Sequence, residues 1–478
     1  MKKKQVSLNS VQKKLGMMLQ FLLLAIGVIH LFRSFYVHFD RASSNQLGEV
    51  EYVIHALFVA VGVVYLLYSR FMAKDTIPLV KDFMRQIFCP EQLLLVAMFV
   101  WYLFSCSAAG KHFGNNWFSY NEFFLVDTAV SFFIFFPLVR SLSKNIQKIA
   151  GIAIPVIIVI LTGLIFFVLW NVFQNNVMYT PDSGIGMSSS RNLTISAHYN
   201  IVGMYEIVVM LVCLILAFKT RFMLLRPVYA LFALIHWGTV VLTQSRTSYF
   251  SAIFAVAVGT FIVICISLKE RLRCVPRLAI GALISIAVAL VMNASREWIF
   301  TLFEACSHLS EILASQGQAV SGELRELAID APVNARFMLW SASVKSMFHD
   351  IHHFLFGVTT AGVYDTLEAF AQGFYGVYTH NQFLEVAVSS GVPNLILYMI
   401  WLVLICKNCL RIGLSSVQNI SLGERLIPII ILCLVVANLP EGRLIGHSYM
   451  PGSVFFILSG WVCVKARTLP PVSVKELL

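Results

Sequence analysis

Residues 227–268 read PVYALFALIHWGTVVLTQSRTSYFSAIFAVAVGTFIVICISL. Two apolar runs, 227–244 and 248–268, are parted by a short polar knot, and Arg246 is the only Asp, Glu, Lys or Arg in the stretch. Each run is long enough to cross a hydrocarbon core about 30 Å thick. With almost no connection between them, the two spans force Arg246 to the mouth of a helix pair.

The same pattern recurs along the chain. Twelve spans are predicted, near 15–32, 52–68, 92–110, 120–139, 151–173, 199–218, 227–244, 248–268, 278–294, 381–405, 426–440 and 447–464. Of the 478 residues 58% are hydrophobic and 12% charged, and the mean hydropathy is +0.79. Soluble domains carry about 25% charged residues, so a soluble globule is excluded, and so is a disordered chain. The expected class is an all-α polytopic membrane protein of about twelve helices.

The net charge of +11 reports on topology before it reports on nucleic acid. With the N-terminus inside, alternate loops hold 25 of the 35 Lys and Arg residues, so both termini are expected on the cytoplasmic side. Lys2, Lys3 and Lys4 resemble a signal-peptide start, but no small-residue cleavage site follows Leu31-Phe32, and the first span is expected to be retained.

Three regions follow: residues 1–294 with nine spans, a long outer loop at 295–380, and residues 381–478 with three spans and a tail. The long loop is the one stretch of soluble-like composition, with nine acidic and four basic residues. Trp298–Ile312 and Ala335–Phe348 within it have helical spacing and are expected as surface-lying helices. Residues 174–198, with Pro181, Gly184, Gly186 and a serine run, read as an irregular loop.

Several signals are weak. Cys406 and Cys409 have redox or zinc spacing but lack a second ligand pair, and Cys106 and Cys306 are expected as free thiols. The sequons at Asn192 and Asn293 are short enough to arise by chance. No phosphate loop, HExxH or paired-cysteine zinc site is present, and no cofactor or metal is expected.

Charge near membrane depth carries the functional signal, because burying it costs several kcal/mol without a partner or a wet cavity. Arg246 lies in Gln244-Ser245-Arg246-Thr247, Arg336 in Arg336-Phe337-Met338-Leu339-Trp340, and His380 where the long loop re-enters the membrane. Thr379 is a plausible N-cap there. Taken singly, the bland readings are a snorkelling arginine, a solvated arginine and an ordinary hydrogen-bonded histidine. Together, two arginines and one base on the outer face suggest transfer from a phosphorylated donor, since arginine forks grip phosphate oxygens. In so apolar a bundle that donor is a lipid-linked diphosphate. Asp127 and Glu206 lie inside spans and read better as halves of buried polar pairs. Glu441-Gly442-Arg443 and His447 form a polar outer turn that either contacts substrate or marks the loop.

The chain resembles the O-antigen ligase and polymerase family of bacterial membrane glycosyltransferases. Three stretches carry the resemblance: Gln244-Ser245-Arg246-Thr247; Arg336 with Trp340 and Gly357; and His380-Asn381 with Leu384 and Gly391. They span roughly residues 200–400. The resemblance implies a GT-C-like helical bundle in the bacterial cytoplasmic membrane. It implies metal-independent, inverting transfer of a glycan from an undecaprenyl-diphosphate carrier to a lipid or glycan acceptor on the outer face, with no nucleic-acid partner. Arg246 and Arg336 would hold the diphosphate and His380 would serve as the base; Asn381, Arg191 and Arg443 are further candidates for substrate binding. Ser389 stands where the family often has a glutamate, and Asn394 where it often has a second glycine. A repeat-unit polymerase would use the same residues. A polysaccharide or lipid transporter is the alternative of another class, but no internal repeat and no long inner central loop favour it.

Overall fold

The computed structural model describes residues 89–113, 117–137, 144–174, 185–187, 193–195, 199–269, 271–307, 334–370, 378–413, 415, 420–442, 444–445 and 450–469, with a few positions before residue 62. The first two predicted spans, and Arg191, His198, Cys306, Arg443 and His447, lie outside the residues whose side chains are described.

The described residues are helical apart from one small hairpin. The helices are α1 (Pro90–Phe113), α2 (Trp117–Val130), α3 (Lys144–Gln174), α4 (Tyr199–Lys219), α5 (Leu225–Thr243), α6 (Arg246–Ser267) and α7 (Cys274–Ser307). Then come α8 (Asn334–Met347), α9 (Ile351–Phe356), α10 (Thr359–Phe370), α11 (Gln382–Gly413), α12 (Leu422–Ala437) and α13 (Met450–Arg467). Among the described residues six of them, α1, α4, α5, α6, α7 and α11, are long and apolar enough to cross a membrane.

Three local readings change. The stretch expected as irregular contains strands β1 (Ile185–Met187) and β2 (Leu193–Ile195), paired antiparallel with Gly186 opposite Thr194. The β-branched residues Ile185, Thr194 and Ile195 favour that pairing. The span expected to end at 294 runs on to Ser307 as one helix. No Gly or Pro interrupts Ala294-Ser295-Arg296-Glu297-Trp298, and polar residues alone do not stop a helix. Both polar members of the Asn293 sequon are engaged there: Tyr249 donates to Asn293 Oδ1 (2.9 Å) and Trp237 Nε1 to Ser295 Oγ (2.9 Å).

The third change concerns α11, expected as one continuous span. Gly391 breaks it with φ +80° and ψ 165°, two residues before Pro393. Proline has no N–H to donate, and only glycine takes that φ cheaply. Backbone groups released inside a membrane must find other partners. Here Trp101 Nε1 (3.0 Å) and Ser105 Oγ (3.3 Å) donate to the Ser390 carbonyl, and Val358 N to the Val388 carbonyl (2.9 Å).

The core runs through α1, α2, α4, α5, α6, α11, α12 and α13, and its aromatic part lies between α2, α11 and α13. Helix α2 continues through a π-turn at Ser131–Phe135, and Gln92 Nε2 donates to the Phe132 carbonyl (2.9 Å). Phe132, Phe136, Trp401, Phe455 and Phe456 are almost wholly buried there. Small residues let such helices approach closely: a Cβ on Gly460 would sit 1.8 Å from the Phe136 carbonyl oxygen. Glu206, inside α4, pairs with His236 Nδ1 (2.5 Å), whose Nε2 meets Thr162 Oγ1 (3.0 Å). The buried-pair reading of Glu206 therefore holds. At the far end of α13, Arg467 pairs with Glu91, and Lys465 with Glu424 (2.7 Å).

Candidate functional site

The turn between α5 and α6 is two residues long. Gln244 closes α5 in the left-handed region (φ +50°), and Ser245 caps α6 by accepting from Ser248 N (3.3 Å). Left-handed backbone is costly for a residue with a Cβ, so the surrounding packing has to impose it. Part of that packing is α4: a Cβ on Gly203 would lie 2.4 Å from Ser248 Oγ. Arg246 is thereby set on the first turn of α6, half-buried.

Helix α8 forms over nearly the predicted range. Its Leu339 and Ala342 pack with Val358, Val363 and Val388, while Phe337 and Met338 stay exposed. That partition is the one expected of a surface-lying helix. Arg336, at its start, reaches back to Thr247 Oγ1 (3.4 Å) and forward to Glu441 Oε1 (2.8 Å).

His380 precedes α11 and also has φ +50°. The Tyr378 ring stacks on it at 4.0 Å, and Trp340 Nε1 donates to its carbonyl (3.3 Å). Asn381, not Thr379, caps α11: its Oδ1 accepts from Phe383 N (2.9 Å) and Leu384 N (3.1 Å). Thr379 instead donates to Glu385 through N (3.2 Å) and Oγ1 (2.8 Å).

Two of the three stretches converge on Glu441, in the turn after α12, and the third is joined to them through the bond from Arg336 to Thr247. The Glu441 side chain is almost wholly buried and receives Arg336, Tyr378 Oη (2.7 Å), Asn200 Nδ2 (2.6 Å) and the His380 ring, with Nδ1 at 3.4 Å. Burial alone would raise its pKa, but His380, Arg336 and the Tyr378 hydroxyl outweigh that, and the carboxyl is held below its ordinary range. Tyr199 lies within the electrostatic reach of Glu441, Arg336 and Arg246 together. Close packing seats the turn, since a Cβ on Gly442 would meet the Asn381 backbone and Glu385 Cβ at 3.3 Å.

Glu441 was legible in the sequence only as part of a polar turn. The available signal was a carboxylate beside Gly and Pro at the end of an apolar run. Arg443 and Arg191 fall outside the described residues. The two motif glycines meet each other's strands of backbone: a Cβ on Gly357 (φ +66°) would lie 2.4 Å from the Val388 carbonyl oxygen, and one on Gly391 2.1 Å from that of Leu355. Glu385, Ser389 and Asn394 line one cavity with Gln382, Tyr102 and Thr360. Cys106 and Cys409 are buried free thiols and Cys406 a partly buried one.

An apolar helical bundle with a cationic cluster gathered at one end around a buried carboxylate defines an integral membrane protein. Residues 229–399 match the protein-family model described as O-antigen ligase. That segment runs from α5 through most of α11 and contains Arg246, Arg336 and His380, while Glu441 lies beyond it. The family comprises ligases and polymerases of glycosyltransferase type, with lipid-linked glycans as substrates. No curated protein matches the chain.

Proposed function

We propose that this chain is an O-antigen ligase-like glycosyltransferase of the bacterial cytoplasmic membrane, built on a GT-C-like bundle of about twelve spans. It moves a glycan from an undecaprenyl-diphosphate carrier to an acceptor hydroxyl on the outer face. The supporting observation is the joint placement of Arg336 and His380 on Glu441, with Arg246 acting on the neighbouring Tyr199.

On this reading Glu441 accepts from His380 Nδ1 and orients the ring, which leaves Nε2 to take the acceptor proton. The acceptor oxygen attacks the anomeric carbon as the bond to the diphosphate oxygen breaks, so the centre inverts. Arg246 and Arg336 take up the charge that develops on the leaving undecaprenyl diphosphate. No metal is required, because the two guanidinium groups supply the positive charge. Asn381, Arg191 and Arg443 remain candidates for contacts with the glycan. The same centre would serve a polymerase, and the acceptor alone separates the two activities.

The test is transfer from a purified lipid-linked glycan by Arg336→Ala and His380→Ala proteins. Both are expected to insert normally and lose transfer by about 100-fold or more. Near-normal transfer in both variants would overturn the reading. Supplying a lipid acceptor in one reaction and a second carrier-linked glycan in another distinguishes ligase from polymerase.

A further inference from the structure

Between α8 and α10 the chain reads His349-Asp350-Ile351-His352-His353. Ligand atoms of Asp350, His352 and His353 all lie within 4.8 Å of one another. Asp350 Oδ2 is 2.8 Å from His353 Nδ1, and its Oδ1 accepts from His353 N (2.8 Å), so one carboxylate both caps α9 and faces an imidazole.

We propose that Asp350, His352 and His353 form a binding site for a divalent transition metal of the zinc type. Two imidazoles and one carboxylate are a donor set that suits zinc and is poorly suited to magnesium or calcium. In a tetrahedral site, zinc–ligand bonds of about 2.0–2.2 Å hold donor atoms roughly 3.3–3.6 Å apart, so closing the set needs side-chain movements of up to about 1.5 Å. The zinc takes the place of any proton shared by Asp350 and His353. His353 is buried, whereas Asp350 and His352 are half-buried and His349 is exposed, so the site has an anchored side and an open side for entry and for a water ligand.

The site is separate from the transfer centre and does not depend on its assignment. It has a structural neighbour nonetheless. His352 packs on Phe356, and Phe356 stacks on Trp101, whose Nε1 holds the Ser390 carbonyl at the break in α11. A bound metal would stiffen the first turn of α9, the helix that packs beside that break.

The experiment uses the full-length protein in detergent, with any histidine tag removed and metals stripped by a chelator. Zinc sulfate is titrated against a fluorescent competitor, and cobalt is used as a spectroscopic probe. One equivalent of zinc is expected, with a rise in melting temperature that magnesium does not reproduce. The cobalt spectrum should lack a thiolate charge-transfer band, which separates this site from the cysteines. Zinc affinity should fall at least tenfold in the His352→Ala/His353→Ala double variant. It should fall likewise in Asp350→Asn, whose amide oxygen can still cap α9 and so preserve the fold. Absence of a saturable equivalent, or an unchanged equivalent in Asp350→Asn, would overturn the proposal.

Discussion

Glu441 is held at once by a guanidinium, an imidazole, a phenol and an amide, and its protonation state is therefore part of the fold. A carboxyl held below its ordinary value of 4.5 contributes stability above that value. The contribution is lost as pH falls through the lower, folded-state value. Melting temperature in detergent is expected to fall in the wild type as the pH drops below about 4.5 towards the lower, folded-state value. It should fall less steeply in Glu441→Gln, which has no charge there to lose. Parallel slopes would show that Glu441 is not a source of the acid sensitivity. On the proposed function the same variant loses about 100-fold in transfer rate at neutral pH, because His380 and Arg336 lose their common anchor.

Of the individual site residues, Arg246, Arg336 and His380 were legible because charge is scarce in this chain and each sits at the edge of an apolar run. Glu441 was not, since nothing local distinguishes a turn that marks a loop from one folded back against residues more than a hundred positions away, as with Arg336. The capping exchange between Thr379 and Asn381 was hidden for a related reason. Both residue types cap helices, and the choice was made by Glu385, which engages Thr379.

Among the elements, the interlock between the α9–α10 turn and the break in α11 carries the sharpest expectation. Gly391→Ala adds a Cβ 2.1 Å from the Leu355 carbonyl oxygen at φ +80°. Backbone strain alone is of order 1–3 kcal/mol, and the clash adds to it. Folded yield and melting temperature should both fall. Gly357→Ala should behave similarly, and the double variant should cost less than the sum, because both glycines serve one contact. Strict additivity would show that the two positions act independently.

The helices themselves were legible from run length, since an apolar run flanked by polar residues has few alternatives in a membrane. Their interruptions were less so. Gly391 and Pro393 signal a break, but apolar residues continue on both sides and hide it. The reverse holds at 294–298, where polar residues suggest an end that the backbone has no reason to make.

For the whole molecule, the charge asymmetry predicts an orientation. Cysteine substitutions in a background without native thiols should be labelled by an impermeant reagent at Glu368, an exposed position of the long outer loop, in intact cells with a permeable outer barrier. The same reagent should label Leu272 only after lysis. The reverse pattern would invert the topology read from the Lys and Arg count.

Helix α11 has 32 residues, and unbroken it would be a rod of about 48 Å. A rod of that length acts as a lever: a few degrees of tilt at its lower end sweep its tip through several ångströms. The discontinuity at Gly391 removes that lever. The short upper piece that follows His380 takes its bearing from Trp101 and Val358, on neighbouring elements, as well as from Asn394 of the long lower piece. Changes in bilayer thickness that rock the lower helix are thereby damped before they reach the residue at its tip.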